Sequence, residues 1–178
     1  MRGLDATPLG QSLYRKFGFV ESYSLMRLVG RAFSLQPAIS RLAARPVDTT
    51  DLPAIFAMDR EVFGADRSRL LASLLARAPE SAWTIDDRGY CFGRPGHLYY
   101  QLGPVVATDP EAARALVTHA LAARPCTIDV PLRDPAWVDW LKSIGFVAER
   151  PFVRMFLRGH VHPGDPARQY AIAGPEFA

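Results

Sequence analysis

The chain has 178 residues, of which 49% are hydrophobic and 22% charged, a composition that can build a sizeable core in one or two domains. Its net charge is +3, from 21 basic and 18 acidic residues without a polybasic block, which argues against a nucleic-acid partner. No run approaches the roughly 18 apolar residues of a membrane span, and Cys91 and Cys126 lack the C-x-x-C spacing, so we expect a protein of the reducing cytoplasm with no membrane partner.

The first predicted elements lie before residue 30. Residues 3–7 favour a short strand, and residues 8–17 favour a helix, because proline is tolerated in a first helical turn and Gly18 then ends it. Residues 19–29 alternate apolar and polar side chains as a half-buried strand does. Glycine and proline interrupt residues 30–44, which we interpret as a linker with at most one helical turn.

A longer pattern of helices and strands follows from residue 45. Apolar spacings of three and four residues predict helices, alternation predicts strands, and glycine and proline mark the turns. The predicted elements are a strand near 45, helices ending at 64 and starting at 68, strands at 82–86, 90–94 and 98–107, a helix from 109, a strand at 126–130, a helix at 135–144, and two closing strands near Phe146 and at 152–157. This order predicts a mixed α/β (α+β) fold around one twisted sheet.

One segment of the sequence occurs twice. Residues 13–19, Leu-Tyr-Arg-Lys-Phe-Gly-Phe, return 127 residues later as Trp-Leu-Lys-Ser-Ile-Gly-Phe at 140–146. Each copy follows an aspartate, Asp5 or Asp129, and a connection that contains proline. Repetition of one supersecondary unit predicts two related domains. Because the first copy begins almost at Met1, the elements that should precede it are absent from the sequence.

The element order and the helix that ends in Gly-Phe resemble the GNAT family of acyl-CoA-dependent N-acyltransferases. The family's late motif N-x-x-A-x-x-L-Y-x-x-x-G-F is matched in spacing by Thr7, Gly10, Leu13, Tyr14, Gly18 and Phe19, with Thr7 in place of Asn and Gly10 in place of Ala. The chain is similar to tandem GNAT proteins of bacteria. The resemblance implies a GNAT-like mixed twisted sheet flanked by helices, preceded by the C-terminal remnant of another GNAT domain.

The resemblance also implies a division of the chain into four parts. Residues 1–29 are interpreted as the C-terminal remnant of a first GNAT domain and residues 30–44 as a linker. Residues 45–158 are interpreted as a degenerate GNAT-like domain, and residues 159–178 as a C-terminal tail.

Acetyl-CoA is the co-substrate that the resemblance implies. The family carries its pyrophosphate loop between the fourth strand and the third helix. In this chain that junction begins with Val105, Val106 and Ala107, which are the candidate cofactor-binding residues. A pyrophosphate needs free backbone N–H groups at a helix N-terminus and glycines that let it approach. The loop that follows has no glycine and carries Asp109 and Glu111, so a structural role is favoured over CoA binding there.

Acyl transfer also needs an acid that protonates the departing CoA thiolate, and a tyrosine near the sulfur can do this. Tyr14 occupies the position where many GNAT enzymes carry that tyrosine; packing on the helix is its alternative role. The second copy has Leu141 instead, which cannot donate a proton. Thr7 and Gly10 are candidates for contact with the pantetheine arm, with helix capping and turn geometry as the alternative.

Arg67 and Tyr100 are the candidates for substrate contact. Arg67 lies in the connection between two predicted helices that often lines the acceptor cleft in this family, although surface ion pairing is an alternative. One of the two neighbours Tyr99 and Tyr100 must face away from the core of its strand. His160 and His162 have no third ligand at a diagnostic spacing, so we predict no metal site.

The leading hypothesis is a GNAT N-acyltransferase that transfers an acetyl group from acetyl-CoA to a small-molecule or peptide amine. This chain alone would then be incomplete for catalysis. The alternatives are a non-catalytic GNAT-like domain for ligand sensing or dimerisation, in which a homodimer is open, and a catalytic second domain with an unusual cofactor pose. We also expect the apolar segment 171–173 to dock as an added strand or against a partner.

Overall fold

The computed structural model describes residues 2–34, 42–121, 124–158 and 162–177. The linker turn predicted within 30–44 falls largely on residues outside this set. The α-helices are α1 (Pro8–Lys16), α2 (Leu52–Phe63), α3 (Ser68–Arg77), α4 (Pro110–Ala120) and α5 (Pro135–Ser143). The strands are β1 (Gly3–Ala6), β2 (Phe19–Gly30), β3 (Arg45–Pro46), β4 (Trp83–Ile85), β5 (Gly89–Arg94), β6 (Tyr100–Ala107), β7 (Cys126–Pro131), β8 (Phe146–Leu157) and β9 (Gln169–Ala171). None of the described helices is long and apolar enough to cross a bilayer.

All of these strands join one sheet in the order β1-β8-β2-β7-β6-β5-β4-β3, with β9 added to β6. Neighbours run antiparallel except β6 and β7, which are parallel. One core lies between the sheet and the pair α4 and α5. A second core lies on the α2 and α3 side. The predicted mixed α/β fold is therefore confirmed.

The end of the sheet differs from the prediction in one respect. The two closing strands expected near Phe146 and at 152–157 form the single twelve-residue strand β8. Pro151 does not interrupt it, because β1 pairs only with Val153–Phe156 and leaves that side of β8 unpaired at the proline. Proline is accommodated at such an edge, where its missing N–H group removes no ladder bond.

The two copies of the repeated segment take the same form and interleave in the sheet. The first copy is β1-α1-β2, and the second copy is β7-α5-β8. Their strands alternate as β1-β8-β2-β7. Leu25 and Phe152, which are equivalent because they are 127 residues apart, face each other in the β2–β8 ladder. A pseudo-twofold axis therefore passes between β2 and β8.

Two Arg–Asp pairs obey the same pseudosymmetry. Arg27 on β2 donates two hydrogen bonds of 2.8 Å to Asp129 on β7. Its equivalent, Arg154 on β8, donates through Nε and Nη2 to Asp5 on β1. Each pair thus joins one copy to the other. The structure shows both copies inside one sheet, while the division into domains at residues 29, 44 and 158 stays a prediction.

Helix α1 is the least covered of the five described helices. It has no buried residue. Leu9 is 93% exposed, and Leu13 and Phe17 are 51% and 66% exposed. The equivalent helix α5 buries Trp137, Val138 and Leu141. Helix α1 therefore leaves apolar side chains exposed, whereas α5 packs apolar side chains into the core.

Candidate active site

Strands β6 and β7 pair over only part of their length. Tyr100–Leu102 pair with Cys126–Ile128, and the two strands then separate. In the separated part, Val105 and Val106 pair with Ala171 and Gln169 of β9. Of the two alternatives for segment 171–173, the added strand is the one seen, although β9 ends at Ala171 and overlaps the expected segment only there. The C-terminal segment fills the opening between the two parallel strands.

Three contacts hold this C-terminal segment in place. The backbone N–H of Ile172 donates to the carbonyl of Asp129 at 2.9 Å. The indole Nε1 of Trp137 donates to the carbonyl of Tyr170 at 3.0 Å. A Cβ on Gly103 would lie 2.1 Å from the carbonyl oxygen of Ile172, so only glycine permits this approach. The segment is therefore closely fitted to the strands on either side.

The predicted cofactor residues Val105, Val106 and Ala107 are all fully buried. Their side chains point into the two cores, and β9 covers the backbone edge of Val105 and Val106. Contact between acetyl-CoA and these residues remains a prediction. It would require displacement of the C-terminal segment.

The loop before α4 is occupied by a carboxylate. Asp109 Oδ1 accepts the backbone N–H of Ala112 at 3.0 Å, and Oδ2 accepts from Arg88 at 2.7 Å. Burial raises the pKa of Asp109, but the hydrogen bonds from Arg88, the Ala112 N–H and Thr108 outweigh it and lower the pKa to about 2. An ionised aspartate therefore takes the helix N-terminus that a phosphate would need.

Thr7, Gly10 and Tyr14 come together where β1 meets α1. All three are partly buried. A Cβ on Gly10 would lie 3.1 Å from Tyr14 Cε2 and 3.6 Å from Thr7 Oγ1. The Tyr14 ring packs edge-on against Phe19, with 5.9 Å between the centroids. The structure therefore brings together the three residues predicted for the catalytic and pantetheine-binding roles.

The equivalent positions in the second copy are filled differently. Gly10 corresponds to Trp137 and Tyr14 to Leu141. Trp137 is 1% exposed and Leu141 is fully buried. Trp137 also holds the C-terminal segment. In the first copy a glycine and a tyrosine replace these bulky apolar groups, and no described segment covers them.

Arg67 lies in a buried network. Its Nε donates to Asp59 at 3.1 Å, and its guanidinium lies 3.8 Å from the centroid of the Phe63 ring. The Tyr90 hydroxyl donates to the same carboxylate, and burial raises the pKa of Tyr90. The predicted ion pair of Arg67 is thus present, but it is buried and not at the surface. The Arg67 N–H groups that donate to Asp59 are therefore not free to bind a substrate.

Tyr100 lies at the start of β6. Its hydroxyl donates to Glu80 at 3.4 Å, and the Arg124 guanidinium lies 3.7 Å from its ring centroid. No described contact joins it to Arg67 or Tyr14. The three residues predicted for catalysis and acceptor binding are therefore not brought into one site. Substrate contact by Arg67 and Tyr100 remains a prediction.

The histidines form no metal centre among the described residues. His160 lies outside that set. His162 is 9% exposed, and its Nδ1 accepts the backbone N–H of Gly164 at 3.1 Å. Its ring lies among those of Tyr23, Phe63 and Phe156.

The sequence is matched over residues 55–171 by the acetyltransferase (GNAT) domain model. This chain belongs to the GNAT family. Among curated proteins, this GNAT chain is 28% identical to the holothin acyltransferase of Pseudoalteromonas sp. (strain SANK 73390) over 98% of the chain and 61% of that protein. It is 31% identical to the uncharacterized N-acetyltransferase YitH of Bacillus subtilis (strain 168) over 80% of the chain and 53% of that protein. The chain thus spans only a little over half the length of these relatives.

Solved structures agree on the fold. A Pyrococcus horikoshii protein assigned as an acetyltransferase superposes with a TM-score of 0.79 at 24% identity, over 97% of this chain and 58% of that chain. A GCN5-related N-acetyltransferase from Sphaerobacter thermophilus gives a TM-score of 0.59 at 16% identity, over 86% of this chain and 58% of that chain. The GNAT-like fold that the sequence predicted is therefore confirmed.

Sequence reasoning missed a cavity on the other side of β7. It has a volume of about 580 Å³ and lies against β2, β8 and the start of β6. Its charged lining consists of Arg27, Arg94, Glu149, Arg150 and Glu176. These residues come from four distant stretches of the sequence and share no periodicity. The only local signal is the charged dipeptide Glu149-Arg150 inside a strand.

Proposed function

We propose that this chain is part of a GNAT N-acyltransferase that transfers an acetyl group from acetyl-CoA to an amine at the first copy. The observation that carries this proposal is the difference between equivalent positions. Trp137, Leu141 and the C-terminal segment fill the second copy. The equivalent Gly10 and Tyr14 of the first copy are only partly buried, and no described segment covers them.

Tyr14 would act as the general acid. Acetyl-CoA supplies the thioester, whose C–S bond breaks as the amine nitrogen forms the new C–N bond and gives up a proton to solvent. The Tyr14 hydroxyl donates its proton to the departing thiolate and recovers it from water. This hydroxyl has no hydrogen-bond partner among the described residues, so it is available to a substrate. Thr7 and Gly10 would line the path of the pantetheine arm.

Catalysis would need a further polypeptide unit that completes the first copy. The outer edge of β7 is paired with the parallel strand β6, whereas the equivalent edge of β1 carries no described strand. The exposed Leu9, Leu13 and Phe17 lie on the adjoining helix. We therefore propose a tandem GNAT protein, in which another unit supplies a parallel strand and the phosphate-binding loop to β1.

Residues 45–158 would then have a structural role and would not themselves bind acetyl-CoA. Asp109 occupies the helix N-terminus, and β9 fills the strand opening. A ligand-sensing role for this region is the second candidate, because of the cavity lined by Arg150.

The test uses the chain joined to the polypeptide that completes the first copy. CoA thiol release would be followed with acetyl-CoA and a panel of amines. Tyr14→Phe is expected to lower kcat by about 10²–10⁴-fold, because it removes the proton donor. Binding of acetyl-CoA, measured by titration calorimetry, should change little. Tyr99→Phe, which changes a hydroxyl held by Arg31 far from α1, is the matched control.

Two results would count against the proposal. Unchanged turnover in Tyr14→Phe would remove the assigned acid. Micromolar binding of acetyl-CoA by the present chain, abolished by a substitution at Val106 and not at Gly10, would move the cofactor to the second copy. We expect the present chain alone to show neither turnover nor such binding.

A further inference from the structure

The cavity of about 580 Å³ has a polar floor built from buried side chains. Arg27 is bound through Nε and Nη2 to Asp129, and Gln101 Nε2 donates to the same carboxylate at 3.2 Å. Thr127 Oγ1 donates to Gln101 at 2.9 Å. A ligand cavity uses a few fixed polar groups to orient its ligand. A solvent-exposed sheet face that binds nothing does not need such a network.

The pseudosymmetric position is closed. There Arg154, the equivalent of Arg27, is 1% exposed. Tyr23 covers it, with the Arg154 guanidinium 5.7 Å from the Tyr23 ring centroid, and His162 packs at 6.2 Å from that ring. The residue equivalent to Tyr23 is Arg150. A charged side chain at the open end thus replaces the aromatic ring that seals the other end.

Arg150 lies directly opposite Arg27 on the neighbouring strand. Both guanidinium groups lie over the Phe152 ring, at 4.9 and 5.5 Å from its centroid. Like charges directly opposite each other destabilise a sheet. Asp129 neutralises Arg27, but Arg150 makes no ion pair among the described residues. On the facing wall, Arg94 is already paired through Nη2 with Glu176, although its buried Nε has no acceptor. The unpaired Arg150 therefore indicates a place for an anionic group.

A β-bulge adds a carboxylate beside Arg150. The ladder passes from Arg27↔Arg150 to Leu28↔Ala148, so Glu149 has no partner residue on β2. Bulges re-aim side chains, and here both Glu149 and Arg150 line the cavity. Glu149 also makes no ion pair among the described residues. The cavity therefore offers one uncompensated positive and one uncompensated negative group side by side.

We propose that this cavity binds a small zwitterion of the amino-acid class. Arg150 receives the carboxylate, and Glu149 receives the ammonium group. The site is separate from α1, so the assignment does not depend on where acyl transfer takes place. A volume of about 580 Å³ leaves room for a side chain beyond the two charged groups.

The test measures the melting temperature of the whole chain with 10 mM L-leucine, L-glutamine or L-phenylalanine. A dissociation constant of about 1 mM would raise the melting temperature by about 3–6 °C. The N-acetyl derivative lacks the ammonium group and the amide derivative lacks the carboxylate, so both should lose the effect. Arg150→Gln should abolish the shift. Arg69→Gln, at an exposed arginine on α3, should leave it intact.

The variants also separate binding from folding. Arg150 and Glu149 are exposed, and Arg150→Gln removes a like-charge contact, so its melting temperature without ligand should equal or exceed that of the parent protein. Glu149→Gln should weaken binding of the free amino acid, while the melting temperature measured with the N-acetyl derivative should stay unchanged. The proposal fails if no amino acid shifts the melting temperature, if Arg150→Gln retains the shift, or if inorganic phosphate or an N-acetyl derivative is as effective as the free amino acid.

Discussion

The two equivalent Arg–Asp pairs should respond very differently to loss of the arginine. Arg154→Ala leaves the Asp5 carboxylate unpaired, and the side chains of both partners are almost fully buried, at 2% and 0% exposure. Removing one partner of a buried ion pair costs about 3–5 kcal/mol, because the remaining charge has neither partner nor water. We therefore expect Arg154→Ala to lower the free energy of unfolding by that amount.

Arg27→Ala should cost less. The Arg27 side chain is 18% exposed and borders the cavity, so water can reach the Asp129 carboxylate once the guanidinium is gone. Gln101 Nε2 also continues to donate to that carboxylate at 3.2 Å. Loss of a hydrogen bond to a charged group under these conditions costs about 1.5–3 kcal/mol. The difference between the two variants measures burial, because the residue types are the same.

Urea unfolding followed by circular dichroism would give both values at pH 7.5, with Arg15→Ala as the control. Arg15 pairs with Glu21 at the surface, where the side chains are 59% and 40% exposed, so its loss should cost at most about 1 kcal/mol. A loss for Arg154→Ala no larger than that of Arg27→Ala would refute the reasoning. Burial raises the pKa of Asp5, and Arg154 opposes that shift. The defect of Arg154→Ala should therefore shrink as the pH falls and Asp5 becomes protonated and neutral.

Three further predictions follow from buried groups. Burial, followed by the charges of Arg154, Arg133 and Arg67, lowers the pKa of His162 to about 4. The unfolded chain therefore binds this proton at a higher pH than the folded chain, and the free energy of unfolding should fall by up to about 2 kcal/mol between pH 6.5 and 4. His162→Gln should make the urea midpoint less dependent on pH over that range. Gly103→Ala should force Ile172 and the rest of the C-terminal segment away from β6, detected as faster proteolytic cleavage after residue 168. Cleavage as slow as in the parent protein would contradict that contact. Burial raises the pKa of the Cys91 and Cys126 thiols to about 12, so Ellman's reagent should titrate two thiols only after denaturation.

Local pattern was enough to predict most of the elements. The alternation of residues 19–29 and the Gly18 stop gave β2 and the end of α1 to within a residue or two, because strand and helix periodicity depend on near neighbours. The split of β8 into two strands was wrong, because the effect of Pro151 depends on how far β1 extends beside it. The burial of Arg67 depended on Asp59 and Tyr90, which local spacing does not relate to it.

The sequence by itself determined the repeated strand–helix–strand unit, the family resemblance and the placement of Thr7, Gly10 and Tyr14 along one side of α1. Only the tertiary structure decided that the two copies interleave, that β9 fills the opening between β6 and β7, and that Arg150 faces Arg27 across a cavity. The physical reason is the range of the interactions. Helix and strand periods are encoded within a few residues, whereas strand order and the filling of a gap depend on side chains far apart in the chain that meet only when the whole sheet forms.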